Sequence, residues 1–285
     1  MPDYNKLSNL IISARKRNLS LGRAVLEDEC EESHLDRDAA LNKMKKQILV
    51  MRQAVEAASS QSVEGPLYFK DAWMMQEGIK RKLIPKDLTA LAVQKAVAIN
   101  AWNSLNGKVV ATPTGGSCGI LPGVLLAAQE QWDCSDEEVA LAMFAGGGTG
   151  IPIALNGTLS GSVGGCQAEC GSAACMAAAA MTDLSGASAE QCIEAFAIAC
   201  KASMGLICDP IGNVACPCVK RNGLFAGVAI SAAYMAICGV KSIIPPDDML
   251  RSFCDVSLDV AKKFSRLDGD VGIQKTEFAQ KLDFQ

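Results

Sequence analysis

Three cysteines stand where the chain turns: Cys166 after Gly164-Gly165, Cys208 before Asp209-Pro210, and Cys218 after Pro217. Each falls at a loop–helix junction of the predicted element pattern. The exposed N–H groups and dipole of a helix start favour a thiolate over a thiol. Thiolates are the ligands of iron–sulfur clusters. Three of them on a four-iron cube leave one iron open, and an open iron acts as a Lewis acid toward a hydroxyl or carboxylate. The spacing lacks the dense C-x2-C run of a ferredoxin. A second reading therefore stands beside the first: buried small hydrophobes, as for Cys175, Cys192, Cys200 and Cys238 on Ala-rich helices.

The rest of the composition narrows the choice. The chain holds 13 Cys and a single His, which argues against a His-based zinc site or a Ser-His-Asp triad. The opening MPDYNKLSNLIISARKRNLS lacks the apolar run and cleavage site of a signal peptide. A cytoplasmic chain keeps its thiols reduced, so no disulfide framework is expected. With 285 residues, 49% hydrophobic and 20% charged, the chain is neither disordered nor collagen-like. The net charge of −4 argues against a nucleic-acid binder, which needs a basic face. Two apolar stretches, Gly161–Met181 and Leu224–Val240, invite comparison with membrane spans. The first contains Gln167 and Glu169, and the second falls short of the roughly 20 residues a span needs. Both are read as buried helices, with no membrane partner.

Few aromatics and abundant Ala and Gly predict close helix–helix approach. The fold class expected is all-α: an Ala/Gly-rich helical catalytic domain with an N-terminal helical layer. Residues 1–60 form that layer, 61–246 the catalytic domain and 247–285 a polar C-terminal tail. Ser20 is a predicted cap for Leu21–Glu32, and Asp36 for a run to about Ala58. In that run Leu41, Met44, Ile48, Met51 and Val55 recur at helical spacing. Leu88–Leu105 reads as a further helix. ATPTGGSCGILPG (111–123) reads as a loop, with Pro122 suited to the first turn of the helix after it. Asp133 or Ser135 caps the next helix, Ser135 with Glu138 as a capping box. AGGGTGIP is then expected to break the chain, and GTLSGSVGG to break it again before Cys166. Helices at about Ala168–Leu184 and Ala187–Met204, a loop at CDPIGNVACPC and a last buried helix at Leu224–Val240 complete the reading. LDGDVGIQKTEF lacks the residue order of a calcium loop and reads as a turn and short helix.

Three segments carry a resemblance. ATPTGGSCGILPG (111–123), GGCQAECGSAACMAAAA (164–180) and GLICDPIGNVACPCVKRN (205–222) resemble the signature segments of the iron–sulfur-dependent L-serine dehydratase alpha chain. More loosely, the likeness runs from about residue 20 to Pro246. It implies a [4Fe–4S] cluster on Cys166, Cys208 and Cys218, and dehydration and deamination of serine to pyruvate and ammonia. Cys216 lies inside a shortened interval, so Cys216 or Cys218 is the third ligand; the PCVKRN context favours Cys218. The Gly-rich closing segment of the family's alpha chains is absent, and AGGGTGIPIALNG is an unusual version of the family's loop. The Ser-rich, His-containing motif of single-chain relatives has no match here. A beta-chain partner and an oligomer are the expectation, with room for a changed β-substituted substrate.

Within that frame the remaining residues take roles. Thr112, Thr114 and Ser117, with the Gly115-Gly116 backbone, make a donor-rich turn suited to a carboxylate; the alternative is a plain helix-start turn. Gln167 and Glu169 orient the cluster from beside Cys166, unless Glu169 is only a first-turn charge. Asn156, facing the Gly-rich loop, is a substrate-binding candidate. Arg221 pairs with a substrate carboxylate or with an internal acid. No residue presents itself as the base, and His34 reads as a solvated helix residue. No lysine sits in a pyridoxal-phosphate motif. The competing class is a cluster-free helical scaffold or regulatory subunit; a redox sensor lacks any DNA-binding element.

Overall fold

A computed structural model describes residues 4–60, 70–208, 216–264 and 272–277. Among these residues the structure is helical, with no strand. The centre is α9 (Ser172–Leu184), in which every residue from Ser172 to Asp183 is buried. A helix apolar on all sides must be surrounded. Its sequence, SAACMAAAAMTDL, carries mostly methyl groups, so neighbours approach closely on every side. Those neighbours are α6 (Ile120–Trp132), α7 (Asp136–Asn156), α10 (Ala189–Ser203) and α11 (Cys216–Ile237). Beside them α5 (Leu88–Ser104) packs against α6 and α11.

The N-terminal layer is α1 (Leu7–Arg17), α2 (Leu21–Ser33) and α3 (Arg37–Ala58). The capping residues read from the sequence do their work: Ser20 accepts from the Arg23 N–H and Asp36 from that of Ala39. These bonds satisfy donors that a helix start leaves without partners. Leu41, Ile48 and Met51 are buried, and Met44 and Val55 pack against the core. Asp183, buried on α9, accepts from the Gly22 N–H at 3.2 Å and so anchors the start of α2 to the central helix. Short α4 (Asp71–Lys80) lies against α5.

The structure corrects several expectations. AGGGTGIP does not break the chain; α7 runs straight through it with Pro152 inside. A Cβ at Gly148 would sit 2.5 Å from the Val25 side chain, and one at Gly150 2.9 Å from that of Met176. Close approach of α2 and α9 offsets the weak helix propensity of glycine, a case of tertiary packing overriding a local preference. Ser135 caps α7 with the full capping box, while Asp133 ends α6 in the left-handed region. Helix α6 starts at Ile120, and Pro122 lies in its first turn as expected. Helix α11 starts at Cys216, so the CPC run opens a helix instead of ending a loop. Residues 209–215 lie outside the described residues, as does the Cys216 side chain. The helix read at Leu224–Val240 is only half covered: Leu224, Tyr234 and Met235 are exposed, while Phe225, Ala229, Ile230 and Ala233 are buried.

The stretch read as a polar tail opens with α12 (Pro246–Lys263). Met249, Leu250, Phe253, Cys254 and Ser257 recur at helical spacing and are buried. Asp247 of α12 accepts from the N–H and hydroxyl of Ser8, at 3.1 and 2.6 Å, tying α12 to α1. Of LDGDVGIQKTEF, residues Gly272–Lys275 form a 3-10 turn, and 267–271 and 278 lie outside the described residues. By length and composition, α7 is the helix among the described residues that is apolar enough to cross a membrane. It is mostly buried, packed against α2, α3 and α9.

Two stability experiments follow from this packing. A methyl at Gly22 would meet the Leu141 carbonyl at 2.2 Å, whereas one at Gly147 meets nothing within 4 Å. By denaturant unfolding, Gly22→Ala loses about 2 kcal/mol or more through overpacking, and Gly147→Ala gains about 0.5–1 kcal/mol. Burial pushes the Asp183 carboxyl up to about 6, against the bonds from Gly22 and Leu21. A raised folded-state pKa means the folded protein holds this proton more tightly, so its contribution to stability falls as pH rises from about 4 to about 6. The unfolding midpoint of Asp183→Asn, relative to wild type, therefore shifts in the variant's favour over that window.

Candidate functional site

Four segments meet at one place: the turn 112–119 ahead of α6, the corner after α8 (Gly161–Cys166), the segment 204–208 after α10, and the first turns of α11. The corner is a glycine's doing. Gly165 has φ 73°, and a Cβ there would lie 2.5 Å from the Leu206 carbonyl oxygen. Only glycine combines that backbone with so close a passing chain. The Gln167 N–H then donates to the Leu206 carbonyl at 3.2 Å. Residues 205–207 are thus laid along residues 165–167, with Cys208 next in the chain. From α11, the Arg221 guanidinium donates to the Ile207 carbonyl at 3.1 Å and holds the same segment from the other side.

After Cys166 the backbone widens into a single π-helical turn, Gln167–Gly171, before α9. Such turns recur at functional sites. The Gln167 side chain is fully buried; it accepts from the Gly205 N–H at 2.7 Å and donates to the Phe253 carbonyl at 2.5 Å. Ser257 donates to the Gly164 carbonyl at 2.7 Å. Gln167 therefore braces the corner from outside and does not point at the thiols.

The thiols act on one another. Cys166 is buried, yet a hydrogen bond from Cys170 and the charge of Arg221 pull its pKa down against that burial. Burial pushes the Cys218 thiol up to about 12, followed by the charges of Cys166, Glu169 and Cys208, with Arg221 opposing. Cys170 is held well above the usual thiol range by its hydrogen bond to Cys166 and by burial. Three sulfurs far apart in sequence thus share one electrostatic neighbourhood with Glu169 and Arg221. Among the described residues, no three His, Cys, Asp or Glu side chains converge tightly enough for a single metal ion.

Glu169 joins the thiols to the turn. Its carboxylate accepts the Thr114 hydroxyl at 2.5 Å. A Cβ at Gly116 or at Gly161 would lie 2.5 Å from one of its oxygens, so both glycines leave the space it fills. Thr114 and Ser117 hydroxyls are 3.0 Å apart. Thr114 spends its one proton on a carboxylate, which only accepts, so Ser117 donates to Thr114. The result is a directional chain Ser117 → Thr114 → Glu169. Thr112 donates to the Cys118 carbonyl at 3.1 Å, closing the turn on itself. Three amides complete it: Asn100 and Asn103 donate to the Gly116 and Gly115 carbonyls at 2.9 and 3.0 Å, and Asn222 donates to Gly116 at 2.8 Å.

Of the residues singled out in the sequence, Thr114, Ser117, Cys166, Glu169, Cys208, Cys218 and Arg221 come together. Thr112 and Gln167 shape the backbone around them. Asn156 stands apart: it is exposed on the last turn of α7 and donates to the Asn5 and Pro152 carbonyls, each at 2.8 Å. It faces no Gly-rich loop, because that stretch is helix. His34 is exposed at the end of α2. The asparagines on α5 carry no motif; their one sequence signal is an uncharged polar pair, Asn100 and Asn103, near the end of an apolar helix.

Comparison with known proteins shows the family. The family profile "Serine dehydratase alpha chain" matches residues 16–271. A protein of Bacillus subtilis (strain 168) named probable L-serine dehydratase, alpha chain, is 35% identical, covering 98% of this chain and 94% of its own. The L-serine dehydratase, alpha chain, of Peptoniphilus asaccharolyticus is 32% identical, covering 98% and 96%. The L-serine dehydratase of Streptomyces coelicolor is 32% identical over 90% of this chain but only 57% of its own length. On the match and on these relatives, the chain belongs to the serine dehydratase alpha chain family.

Proposed function

We propose that this chain is the catalytic subunit of a [4Fe–4S]-dependent L-serine ammonia-lyase, converting L-serine to pyruvate and ammonia. The observation that carries the reading is the shared neighbourhood of Cys166, Cys208 and Cys218. The residues fit the cofactor in chemistry: an all-sulfur donor set, with a guanidinium beside the sulfur of Cys166. The want of a single-ion site does not conflict with this. In a four-iron cube each thiolate binds a different iron, so the ligands need not converge on one point. Cys218 is taken over Cys216 on its PCVKRN context, and the Cys218 thiol feels both other sulfurs. When bound, the cluster supplies an open Lewis-acidic iron to the leaving β-hydroxyl.

The chain's own residues do the rest. Arg221 and Cys170 favour the thiolate of Cys166, the form a ligand must take. Glu169 sets a carboxyl group beside the sulfurs and fixes Thr114 and Ser117 in one orientation. Gln167, through Gly205 and Phe253, holds the corner still. The overall change is loss of the Cα proton and the β-hydroxyl as water, giving an enamine that tautomerises to the imine; hydrolysis of the imine to pyruvate and ammonia then takes up one water, so no water is made or used overall. The substrate is read as serine from the names of the relatives and from hydroxyl-bearing side chains around a thiolate cluster.

A separate beta-type chain completes the enzyme in this reading. The relatives that this chain spans nearly end to end are named alpha chains, whereas the Streptomyces coelicolor protein extends well beyond it. An oligomer in the cytoplasm, where thiols stay reduced, fits the free cysteines.

Anaerobic purification with a beta-type chain tests the whole. The expected product is brown, carries about four irons and four sulfides per alpha chain, and forms pyruvate from L-serine. Alanine at Cys166, Cys208 or Cys218 removes most of the iron, and alanine at Cys216 keeps it. A colourless, iron-free preparation with full activity would sink the reading.

A further inference from the structure

The turn 114–117 is gripped in an uncommon way. Asn103 donates to the Gly115 carbonyl at 3.0 Å, and Asn100 reaches the same oxygen at 3.4 Å. Asn100 and Asn222 both donate to the Gly116 carbonyl, at 2.9 and 2.8 Å. Asn222, fully buried, also donates to the Cys218 carbonyl at 2.8 Å and accepts from the Gly119 N–H at 3.0 Å. Two consecutive carbonyls are therefore held by three amides from two helices.

A trans peptide is planar, and its C=O and N–H point in opposite directions. Fixing the Gly115 and Gly116 carbonyls toward the asparagines turns the Gly116 and Ser117 N–H groups the other way. Among the described residues neither N–H has an acceptor. Adjacent backbone N–H groups of this kind make a cradle for an anion. Asn100 adds a second sign. Its Oδ1 is buried without a partner, one of two such side-chain atoms among the described residues. An orphaned buried oxygen is destabilising, so something must hold the amide this way round. Turning the amide over would set that oxygen against the two carbonyls, so the clamp dictates the orientation.

Beside the cradle stands an acceptor. Glu169 lies next to Gly116, its carboxylate within 2.5 Å of where a Cβ would be. An anion alone would be repelled by it. A zwitterion is matched instead: its carboxylate falls on the two N–H groups and its ammonium on Glu169.

We propose that Asn100, Asn103 and Asn222 are positioning residues that aim the Gly116 and Ser117 N–H groups at the carboxylate of an α-amino acid, with Glu169 taking the ammonium. This rests on the reading of L-serine as substrate and adds how it is recognised. Asn222 further ties this seat to the helix carrying Cys218 and Arg221, so binding and reaction share one frame.

The test uses the anaerobic holoenzyme with its beta-type partner, and the variants Asn103→Ala and Asn222→Asp. Asn103 is half-buried at the end of α5, so its alanine variant folds whatever the outcome at the buried Asn222. Expected are KM values for L-serine raised about fivefold and at least about tenfold respectively, with kcat within about twofold, because lost orientation weakens binding before it touches the reacting bonds. Iron content and unfolding midpoint of Asn103→Ala stay at the wild-type values. A KM within twofold of wild type for Asn103→Ala, or a fall in kcat alone, overturns the clamp and leaves the enzyme reading intact. A wild-type holoenzyme that does not act on L-serine overturns both.

Discussion

One carboxylate sits where two glycines leave room for it, and the site is arranged around that fact. Glu169 fills the space a Cβ would need at Gly116 on one side and at Gly161 on the other. It also takes the hydroxyl of Thr114. The turn ahead of α6, the start of α8 and the π-turn after Cys166 are therefore held to a common centre by a single side chain. A carboxyl group held this way has little freedom, because displacing it leaves a half-buried polar group short of its donor. The thiols of Cys166 and Cys218 then lie within reach of its charge.

Much of the fold was legible because helix starts are chemically specific. Ser20, Asp36 and Ser135 each satisfy an N–H that nothing else would, and such residues announce themselves in sequence. Two stretches misled for opposite reasons. In α7 the glycines read as breaks, since a single strand of sequence does not show that Val25 and Met176 lie against them. In α12 the many Asp and Lys residues read as a tail, although Met249, Leu250, Phe253, Cys254 and Ser257 keep strict helical spacing. Periodicity was the better guide there and composition the worse.

The candidate site was legible where reactive side chains carry it and hidden where amides do. Cys166, Cys208, Cys218, Thr114 and Ser117 stand in glycine- and proline-marked segments, and those segments converge. Asn156 had the same outward marks but belongs to the end of a helix, where its amide serves the carbonyls of Asn5 and Pro152. Asn100 and Asn103 lie on α5, a helix whose chief visible property is its apolar character. Their importance depends on which backbone carbonyls pass by, and that is fixed only when α5, α6 and α11 come together.

The same dependence explains why the last helix matters to chemistry it does not perform. Gln167 needs the Phe253 carbonyl and Gly164 needs the Ser257 hydroxyl. Both belong to α12, and both grip the residues on either side of Gly165 and Cys166. A carbonyl inside a helix is normally committed to its own i+4 N–H, but its second lone pair is open to such a donor. The corner that presents Cys166 is thus bolted from behind by backbone that remains helical, without loosening α12 itself. At its own start α12 holds α1 through Asp247 and Ser8. An N-terminal layer that lies outside the site is in this way mechanically continuous with the sulfur-bearing corner, two hydrogen-bonded contacts away.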